Sequence, residues 1–235
     1  IAVSFFPSAA HQLRWIFLTV AVIGIIYGAI VATMQPDLKR VIAYSSIAHL
    51  GFVVLGIFSF TEQGYSGATF TMVSHGLTTG ALFAIVGMMY DRTHTREISD
   101  YSGLMKTVPV LSGAFLIATF ASVGLPGFSG FVGEFLAMLG SFQAARFYTV
   151  VAVTGVIFAA LYLLWAYQRV FTGEPNELEK KMPDISFREL LVVVPLLLMS
   201  LVLGLAPQYM LDRINPASDK ATTHISKTIH VGEDL

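Results

Sequence analysis

The stretch that decides the fold is Val123-Gly124-Leu125-Pro126-Gly127-Phe128-Ser129-Gly130-Phe131-Val132-Gly133-Glu134-Phe135. Apolar residues lead into it and out of it, but its middle cannot form a regular helix, because Pro126 has no amide donor and crowds the preceding turn. Glycines inside the stretch weaken the helical preference further. The pattern predicts a helix that is broken near residues 124–130, with Pro126, Gly127 and Gly130 in the break.

Glu134 follows this break, and no basic residue is close to it in the sequence. A carboxylate near the middle of a membrane costs about 2.5 kcal/mol or more to insert, so it needs a partner, water or a proton. A discontinuous helix beside a buried acid is typical of an ion pathway. We therefore place the candidate function at Glu134.

The composition indicates an integral membrane protein that has a lipid bilayer as its surroundings. Of 235 residues, 55% are hydrophobic and only 12% are charged, whereas soluble domains have about 25% charged residues. The net charge of −1 and the lack of a basic cluster with interleaved aromatics argue against a nucleic-acid partner. The chain has no cysteine, so disulfides, zinc–thiolate sites and iron–sulfur ligation within this chain are excluded.

Windows of about 20 apolar residues predict an all-α protein with about six transmembrane helices. Their predicted bounds are 13–34, 38–60, 68–90, 108–139, 148–171 and 189–207. Residues 1–12 are interpreted as the end of a preceding segment and an outside loop, and residues 208–235 as a polar tail that does not span. There is no initial Met and no signal-peptide pattern, so we expect the sequence to be a fragment.

The charges in the loops indicate how often the 108–139 stretch crosses the membrane. If it crosses once, one side holds Lys39, Arg40, Arg92, Arg96, Lys106, Arg169, Lys180, Lys181 and Arg188. The other side then holds Arg14, Arg146, Arg213, Lys220 and Lys227. Two crossings would remove this bias, so the positive-inside rule favours one discontinuous crossing. It also places the 172–188 loop in the cytoplasm and both chain ends outside.

Two histidines lie near the middle of predicted helices, His49 in the second and His75 in the third. Imidazole titrates near neutral pH and can pass a proton from one ring nitrogen to the other. Together with Glu134, these histidines could form a polar axis along the membrane plane. The alternative is that each histidine only makes a hydrogen bond between helices, worth about 1 kcal/mol, and that Glu134 is a structural carboxyl.

Weaker candidates lie nearer the ends of the helices. Lys39 is interpreted either as an anchor that reaches the headgroups or as a proton entrance from the cytoplasm. Candidates for interfacial aromatic anchors are Tyr148, Tyr162, Trp165 and Tyr167. The sequence has no His-Glu-x-x-His pair, no Gly-x-Ser-x-Gly elbow and no phosphate-binding loop. We therefore predict neither a metal site nor a self-contained catalytic site.

The segment Gln35-Pro36-Asp37-Leu38-Lys39-Arg40-Val41-Ile42-Ala43-Tyr44-Ser45-Ser46-Ile47-Ala48-His49-Leu50-Gly51 resembles a family signature. The family comprises the proton-pumping membrane subunits of respiratory complex I and their relatives in Mrp-type Na⁺/H⁺ antiporters and membrane-bound hydrogenases. Further motifs follow in the family's order up to about Pro207: Ser74-His75-Gly76-Leu77, Gly124-Leu125-Pro126-Gly127 and Gly130-Phe131-Val132-Gly133-Glu134-Phe135. Most antiporter-like subunits have lysine at the position of Glu134, and glutamate there resembles the subunit M branch.

The resemblance implies a fold with two inverted five-helix repeats followed by a last helix. Residues 13–171 resemble the second repeat, which is a proton-channel unit, and residues 189–207 resemble the last helix. The family's channel lysines of the first repeat would precede Ile1. By position, Glu134 would be the terminal proton acceptor, and His75 and His49 would connect it to such a lysine through water.

The implied activity is proton translocation, as a subunit of a translocase in which NADH oxidation and quinone reduction occur elsewhere. The resemblance places NADH, FMN, iron–sulfur clusters and quinone in partner subunits and no cofactor in this chain. It implies neighbouring antiporter-like subunits as partners and an energy-transducing membrane, expected to be a bacterial plasma membrane. Two alternatives stay open: an Mrp-type cation/proton antiporter subunit and a structural membrane scaffold.

Overall fold

The computed structural model describes residues 2–176 and 182–233, which form helices joined by short connections. The helices are α1 (Ala2–Phe5), α2 (Pro7–Gln12), α3 (Arg14–Thr33), α4 (Leu38–Ile57), α5 (Glu62–Thr93), α6 (Leu104–Thr107), α7 (Pro109–Val123), α8 (Ser129–Ala144), α9 (Arg146–Phe171), α10 (Phe187–Leu205) and α11 (Gln208–Glu233). Helices α3, α4, α5, α9 and α10 are long and apolar enough to cross a membrane, and α7 is a shorter apolar helix. The predicted all-α membrane fold is confirmed.

The break in the central stretch lies between α7 and α8. Gly124 and Gly127 have φ angles of +82° and +105°, a backbone region that glycine adopts without steric cost. The amide of Phe128 donates to the carbonyl of Leu125 at 3.1 Å and closes the turn. Gly130 was expected inside the break, but it is the second residue of α8. The break is therefore shorter than predicted and covers residues 124–128.

The second half of the broken helix packs against the first half of α5. Ser129, at the start of α8, hydrogen-bonds Ser74 in the middle of α5 at 2.7 Å. One turn later, Gly133 lies so close to α5 that an added Cβ would come within 2.7 Å of the Thr71 amide nitrogen. Because the partner residue number falls as α8 advances, α8 runs antiparallel to α5.

The first half of the broken helix begins where α5 ends. The Asp184 carboxylate accepts from the amides of Val110 at 2.9 Å and Leu111 at 3.0 Å, at the start of α7. The Asp184 carbonyl accepts from Arg92, which also makes two 2.7 Å bonds to the Glu189 carboxylate on α10. Helices α7 and α8 therefore follow α5 one after the other, as expected of one discontinuous crossing.

The connections fall on two opposite faces of the helical bundle. We call face A the side of the connections at 34–37, 94–108 and the described part of 172–186, and face B the side of 58–61, 145, 206–207 and α11. On face A, the Leu38 amide donates to the Arg96 carbonyl and the Gly103 amide to the Thr172 carbonyl, both at 2.9 Å. Lys180 and Lys181, which were predicted on this side, lie outside the described residues.

Helix α5 begins earlier than the apolar pattern predicted. The Thr61 hydroxyl accepts from the Gly64 amide at 3.0 Å and caps a helix that starts at Glu62, as threonine does at helix starts. Residues 62–64, which lie between the predicted helices 38–60 and 68–90, therefore belong to the first turn of α5, which begins six residues before the predicted start at 68.

The predicted polar tail is a helix that packs across face B. Ile214 of α11 is 8% exposed and belongs to one buried apolar cluster with Phe70 and Leu203. The Asn215 side chain accepts from the Ser66 hydroxyl of α5 at 2.9 Å. Apolar side chains on one side of α11 thus cover the ends of the membrane helices, while its overall polarity agrees with the expectation that it does not span.

Candidate functional site

A histidine and a carboxylate form a buried pair between α4 and α8. His49 Nδ1 and Glu134 Oε1 are 2.6 Å apart, and the two residues are 3% and 6% exposed. So short a nitrogen–oxygen distance is typical of a strong, charge-assisted hydrogen bond. Glu134 has no basic neighbour in the sequence, and its partner His49 lies 85 positions earlier in the chain.

The second ring nitrogen of His49 faces a buried tyrosine on α9. His49 Nε2 and the Tyr162 hydroxyl oxygen are 3.3 Å apart, and Tyr162 is 1% exposed. The nearby Ser45 hydroxyl donates its proton to the Ile42 carbonyl at 2.7 Å. The Tyr162 hydroxyl can accept from His49 Nε2 when that nitrogen carries a proton, and it can donate to Nε2 when it does not.

When Nε2 is protonated, only two proton arrangements satisfy the 2.6 Å contact. In one, His49 is an imidazolium that donates from Nδ1 to an ionised Glu134. In the other, His49 is neutral and its Nδ1 accepts from a protonated Glu134 carboxyl. Both arrangements have zero net charge and differ by the position of one proton. The pair can therefore hand a proton across without leaving a buried charge uncompensated.

His75 on α5 lies next to this pair. Its ring centroid is 6.1 Å from that of His49, and its buried Nε2 has no hydrogen-bond partner among the described residues. A small cavity adjoins all three titratable side chains and is lined by His49, Thr71, Ser74, His75, Thr78, Ala121, Ser122, Gly130 and Glu134. It leaves about 10 Å³ for the centre of a water molecule, enough for about one water.

Lys39 does not belong to this cluster. It is exposed near face A and lines a separate cavity of about 470 Å³ together with Tyr90 and Arg96. Ten residues of α4 separate it from His49, which corresponds to about 15 Å along the helix. The structure thus brings His49, His75 and Glu134 together and leaves Lys39 at the membrane edge.

The helix break lies beside the carboxylate. A Cβ added to Gly124 would be 3.6 Å from Glu134 Oε2, so the turn at the end of α7 borders the site. An added Cβ on Gly130 would lie 2.4 Å from the Ala121 carbonyl oxygen, so the start of α8 sits against α7. Pro126 and Gly127 shape this turn and make no contact with the titratable groups that the structure records.

Sequence reasoning missed the role of Tyr162, which was grouped with candidate interfacial anchors. Its burial and its contact with His49 show that this interpretation is wrong for Tyr162. The signal in the sequence was its place well inside an apolar helix, nine residues before the end of α9. In residues 2–176 and 182–233 no group of three or more His, Asp or Glu side chains could hold a metal ion.

A family model matches residues 1–159 of the chain and is described as NADH:quinone oxidoreductase/Mrp antiporter, transmembrane. NADH-quinone oxidoreductase subunit M of Mycobacterium tuberculosis is 45% identical over 222 residues, covering 94% of this chain and 40% of that protein. The subunit M of Rhodobacter capsulatus is 44% identical over 226 residues, covering 96% of this chain and 43% of that protein. The chain thus spans about two fifths of the length of these curated relatives.

Two solved structures share the fold. Respiratory complex I from Thermus thermophilus with bound NADH contains a chain that matches with a TM-score of 0.90 and 34% identity, over 95% of this chain and 48% of that one. The Mrp complex from Dietzia sp. DQ12-45-1b matches with a TM-score of 0.83 and 22% identity, over 93% of this chain and 50% of that one. At that identity the Mrp likeness concerns the fold alone.

Proposed function

Because the chain belongs to the NADH:quinone oxidoreductase/Mrp antiporter transmembrane family, we propose that it forms part of a proton-translocating membrane subunit of complex I. The names of the curated relatives support complex I over the Mrp antiporters. In this proposal, NADH, FMN, iron–sulfur clusters and quinone are bound by partner subunits. Neighbouring antiporter-like membrane subunits are the partners that we propose for this chain.

The observation that carries the proposal is the 2.6 Å contact between His49 and Glu134. Its two proton arrangements have the same net charge, so a small change in the local field decides which one is populated. His75 supplies a further imidazole at the edge of the small cavity. We propose that a proton reaches Glu134 through one water and these two histidines.

Electrostatic coupling would drive this exchange. A cation that approaches Glu134 favours its ionised form, and withdrawal of that cation favours the protonated form. The turn at Gly124 borders the carboxylate, so the helix break lies directly beside the group that would change its charge. Movement of a cationic partner toward or away from this site would therefore load or release one proton.

The membrane orientation that we propose puts face A in the cytoplasm and both chain ends outside. The positive residues on face A that the structure describes are Lys39, Arg40, Arg92, Arg96, Lys106, Arg169 and Arg188. They exceed the five on the other side, in α3, α9 and α11, in the direction that the positive-inside rule requires. The membrane would be the bacterial plasma membrane, and Lys39, beside its open cavity, would admit protons from the cytoplasm.

The test is Glu134→Gln in the complete complex, with Glu97→Gln on exposed face A as the matched control. NADH-driven proton uptake and quinone reduction would be measured in inverted vesicles, and assembly on native gels. We expect Glu134→Gln to abolish both activities in an assembled complex and Glu97→Gln to leave both unchanged.

Each alternative function predicts a different result. Unchanged pumping in Glu134→Gln would make the carboxyl structural and support the scaffold. The scaffold also predicts that His49→Ala and His75→Ala impair assembly and leave turnover of the assembled complex intact. Sodium-dependent pH change without NADH would indicate an Mrp-type antiporter.

A further inference from the structure

Three buried serines connect three helices beside the candidate site. Ser129 Oγ of α8 lies 2.7 Å from Ser74 Oγ of α5 and 2.8 Å from Ser200 Oγ of α10, and all three residues are at most 2% exposed. Ser74 also lines the small cavity that it shares with Glu134 and His75. A continuous line of hydroxyl groups therefore leads from the site to α10.

A second polar region lies near face B, outside the candidate site. A cavity of about 280 Å³ is lined by Glu62, Gln63, Ser66, Leu136, Leu211 and Asn215. Four of these six residues are polar, and Ser66 is bonded to Asn215 of α11. We call this cavity the face B vestibule.

One apolar layer separates the serine line from the vestibule. Ser66, Phe70 and Ser74 follow one another at four-residue intervals on α5, so they share one side of the helix with about 6 Å between successive levels. Phe70 is fully buried, and it belongs to one buried apolar cluster with Leu203 and Ile214.

Helices α10 and α11 also contribute apolar side chains to this layer. On α10, Leu203 follows Ser200 by three residues, and on α11, Ile214 directly precedes Asn215. Helices α5 and α10 therefore change from polar to apolar on the face B side of the serine line, and Ile214 of α11 belongs to the same apolar cluster. The side chains of Leu77, Val132, Met210 and Leu211 pack against this layer.

The seam between α5 and α8 offers no parallel way out. A Cβ on Gly67 would lie 2.2 Å from the Ala137 amide nitrogen, and one on Gly140 would lie 2.2 Å from the Gly64 amide nitrogen. Backbones this close leave no space for water between the helices. This seam therefore provides no polar path from Glu134 toward face B, whereas the α10 side of α8 has the serine line.

We propose that the line Ser74–Ser129–Ser200, the apolar layer at Phe70 and the face B vestibule form a gated proton route between the Glu134 site and face B. The route rests on the proposed function and specifies how the same site exchanges protons with that side of the membrane. Phe70 is the gate, because an apolar constriction that excludes water interrupts proton conduction.

Proton transfer along this route balances without a trapped charge. An excess proton from Glu134 or His75 reaches Ser74 Oγ through the cavity water. Each serine hydroxyl accepts one proton and donates its own to the next oxygen. When Phe70 moves aside, water accepts the proton from Ser200 and delivers it to Glu62 or to the solution at face B. Rotation of the three hydroxyls then restores the starting state.

The first experiment enlarges the gate in the assembled complex. Phe70→Ala is compared with Phe115→Ala, which removes a similarly buried phenyl ring from a different core cluster. Passive decay of an imposed pH gradient is measured in inverted vesicles without NADH. We expect Phe70→Ala to leak protons at least threefold faster than Phe115→Ala while quinone reduction continues, so fewer protons are retained per NADH.

Equal leak rates in these two assembled variants would overturn the gate. If Phe70→Ala does not assemble, Phe70→Thr opens the gate with a smaller side chain that has a hydroxyl group, and a leak no greater than that of wild type has the same meaning. The proposed function fails separately, because it predicts loss of pumping in Glu134→Gln whatever Phe70 does.

The second experiment interrupts the hydroxyl line. Ser200→Ala removes its last member, and Ser112→Ala is the control, because the buried Ser112 hydroxyl bonds only to the Val108 carbonyl of its own helix. We expect Ser200→Ala to lower the proton-pumping rate at least threefold and Ser200→Thr, which keeps the hydroxyl, to restore it. Pumping by Ser200→Ala at the rate of Ser112→Ala would overturn the serine line as a proton path.

Discussion

His49 is held through both of its ring nitrogens, by Glu134 on one side and by Tyr162 on the other. A buried ion pair is weak support for stability, because the cost of removing two charges from water offsets their attraction. The arrangement is better suited to moving a proton, since Tyr162 fixes the ring and leaves Nδ1 to share one proton with the carboxyl. Under the proposed function, its value to the protein lies in proton exchange rather than in folding energy.

Tyr162→Phe tests this interpretation by removing one oxygen atom, the Tyr162 hydroxyl. The change keeps the ring but leaves His49 Nε2 without its hydrogen-bond partner, a loss of about 1–3 kcal/mol in a buried position. We expect NADH-driven proton pumping to slow by about tenfold in a complex that assembles normally, as measured in inverted vesicles.

Tyr167→Phe is the control, because the Tyr167 hydroxyl contacts only the Met105 sulfur at 3.8 Å. Equal pumping rates in the two tyrosine variants would show that His49 does not need the Tyr162 oxygen.

The polar residues of the site could be selected from the sequence, but their contacts could not. His49, His75 and Glu134 stand out because each interrupts an apolar run. Their pairing depends on how far α4 and α8 are shifted against each other, which single-helix periodicity does not encode. Tyr162 escaped notice because tyrosine in a membrane helix also fits an interfacial anchor.

At the scale of the helices, α5 and α8 lie very close to each other where a glycine of one helix faces the backbone of the other. Cβ atoms added to Gly67 and Gly133 would lie 2.2 Å and 2.7 Å from backbone nitrogens of the facing helix. Close approach through small residues is a common way for membrane helices to associate. This contact fixes the height of α8 and thereby the position of Glu134 opposite His49.

Gly133→Ala should disturb this contact, and Gly113→Ala should not. The added methyl group at Gly133 meets the backbone of Thr71, whereas nothing lies within 4 Å of the same position at Gly113 in α7. We expect Gly133→Ala to destabilise the assembled complex by about 1–3 kcal/mol and Gly113→Ala to be neutral or slightly stabilising. Thermal inactivation of the detergent-solubilised complex is the measurement, and similar curves for both variants would contradict the expectation.

The helices themselves follow from the sequence more readily than their ends. Long apolar runs are enough to predict α3, α4, α9 and α10, and Pro126 is enough to predict a break. The start of α5 was missed because its first turn is polar and depends on the Thr61 cap. The helical character of α11 was missed because its apolar side is narrow. The reason for that apolar side is visible only in the fold, where Ile214 joins a buried cluster with Phe70 and Leu203.

For the whole molecule, the two faces differ in charge and in the elements that close them. Face A carries the Arg92–Glu189 pair with two 2.7 Å bonds, and face B is covered by α11. Loop charge in the sequence was sufficient to predict which connections share a face. Which face meets the cytoplasm remains a prediction.

The absence of cysteine from this sequence allows a direct test of orientation. Lys106→Cys and Arg146→Cys would place single thiols at exposed positions on face A and face B. In intact cells we expect an impermeant maleimide to label Arg146→Cys and to leave Lys106→Cys unmodified. In inverted vesicles the pattern should reverse. Labelling of Lys106→Cys in intact cells and of Arg146→Cys in inverted vesicles would contradict the proposed orientation.

The direct contact between His49 and Glu134 also has an electrical consequence. The two side chains lie on neighbouring helices, so a proton exchanged between them under the proposed function would move sideways between helices and perform almost no work against the transmembrane voltage. A proton that passes from Ser74 beyond Phe70 travels along the helix axes and does cross part of that voltage, which amounts to about 2.3 kcal/mol per charge for a full 100 mV. A rising membrane potential should therefore slow release through the gate while the exchange between His49 and Glu134 continues unchanged.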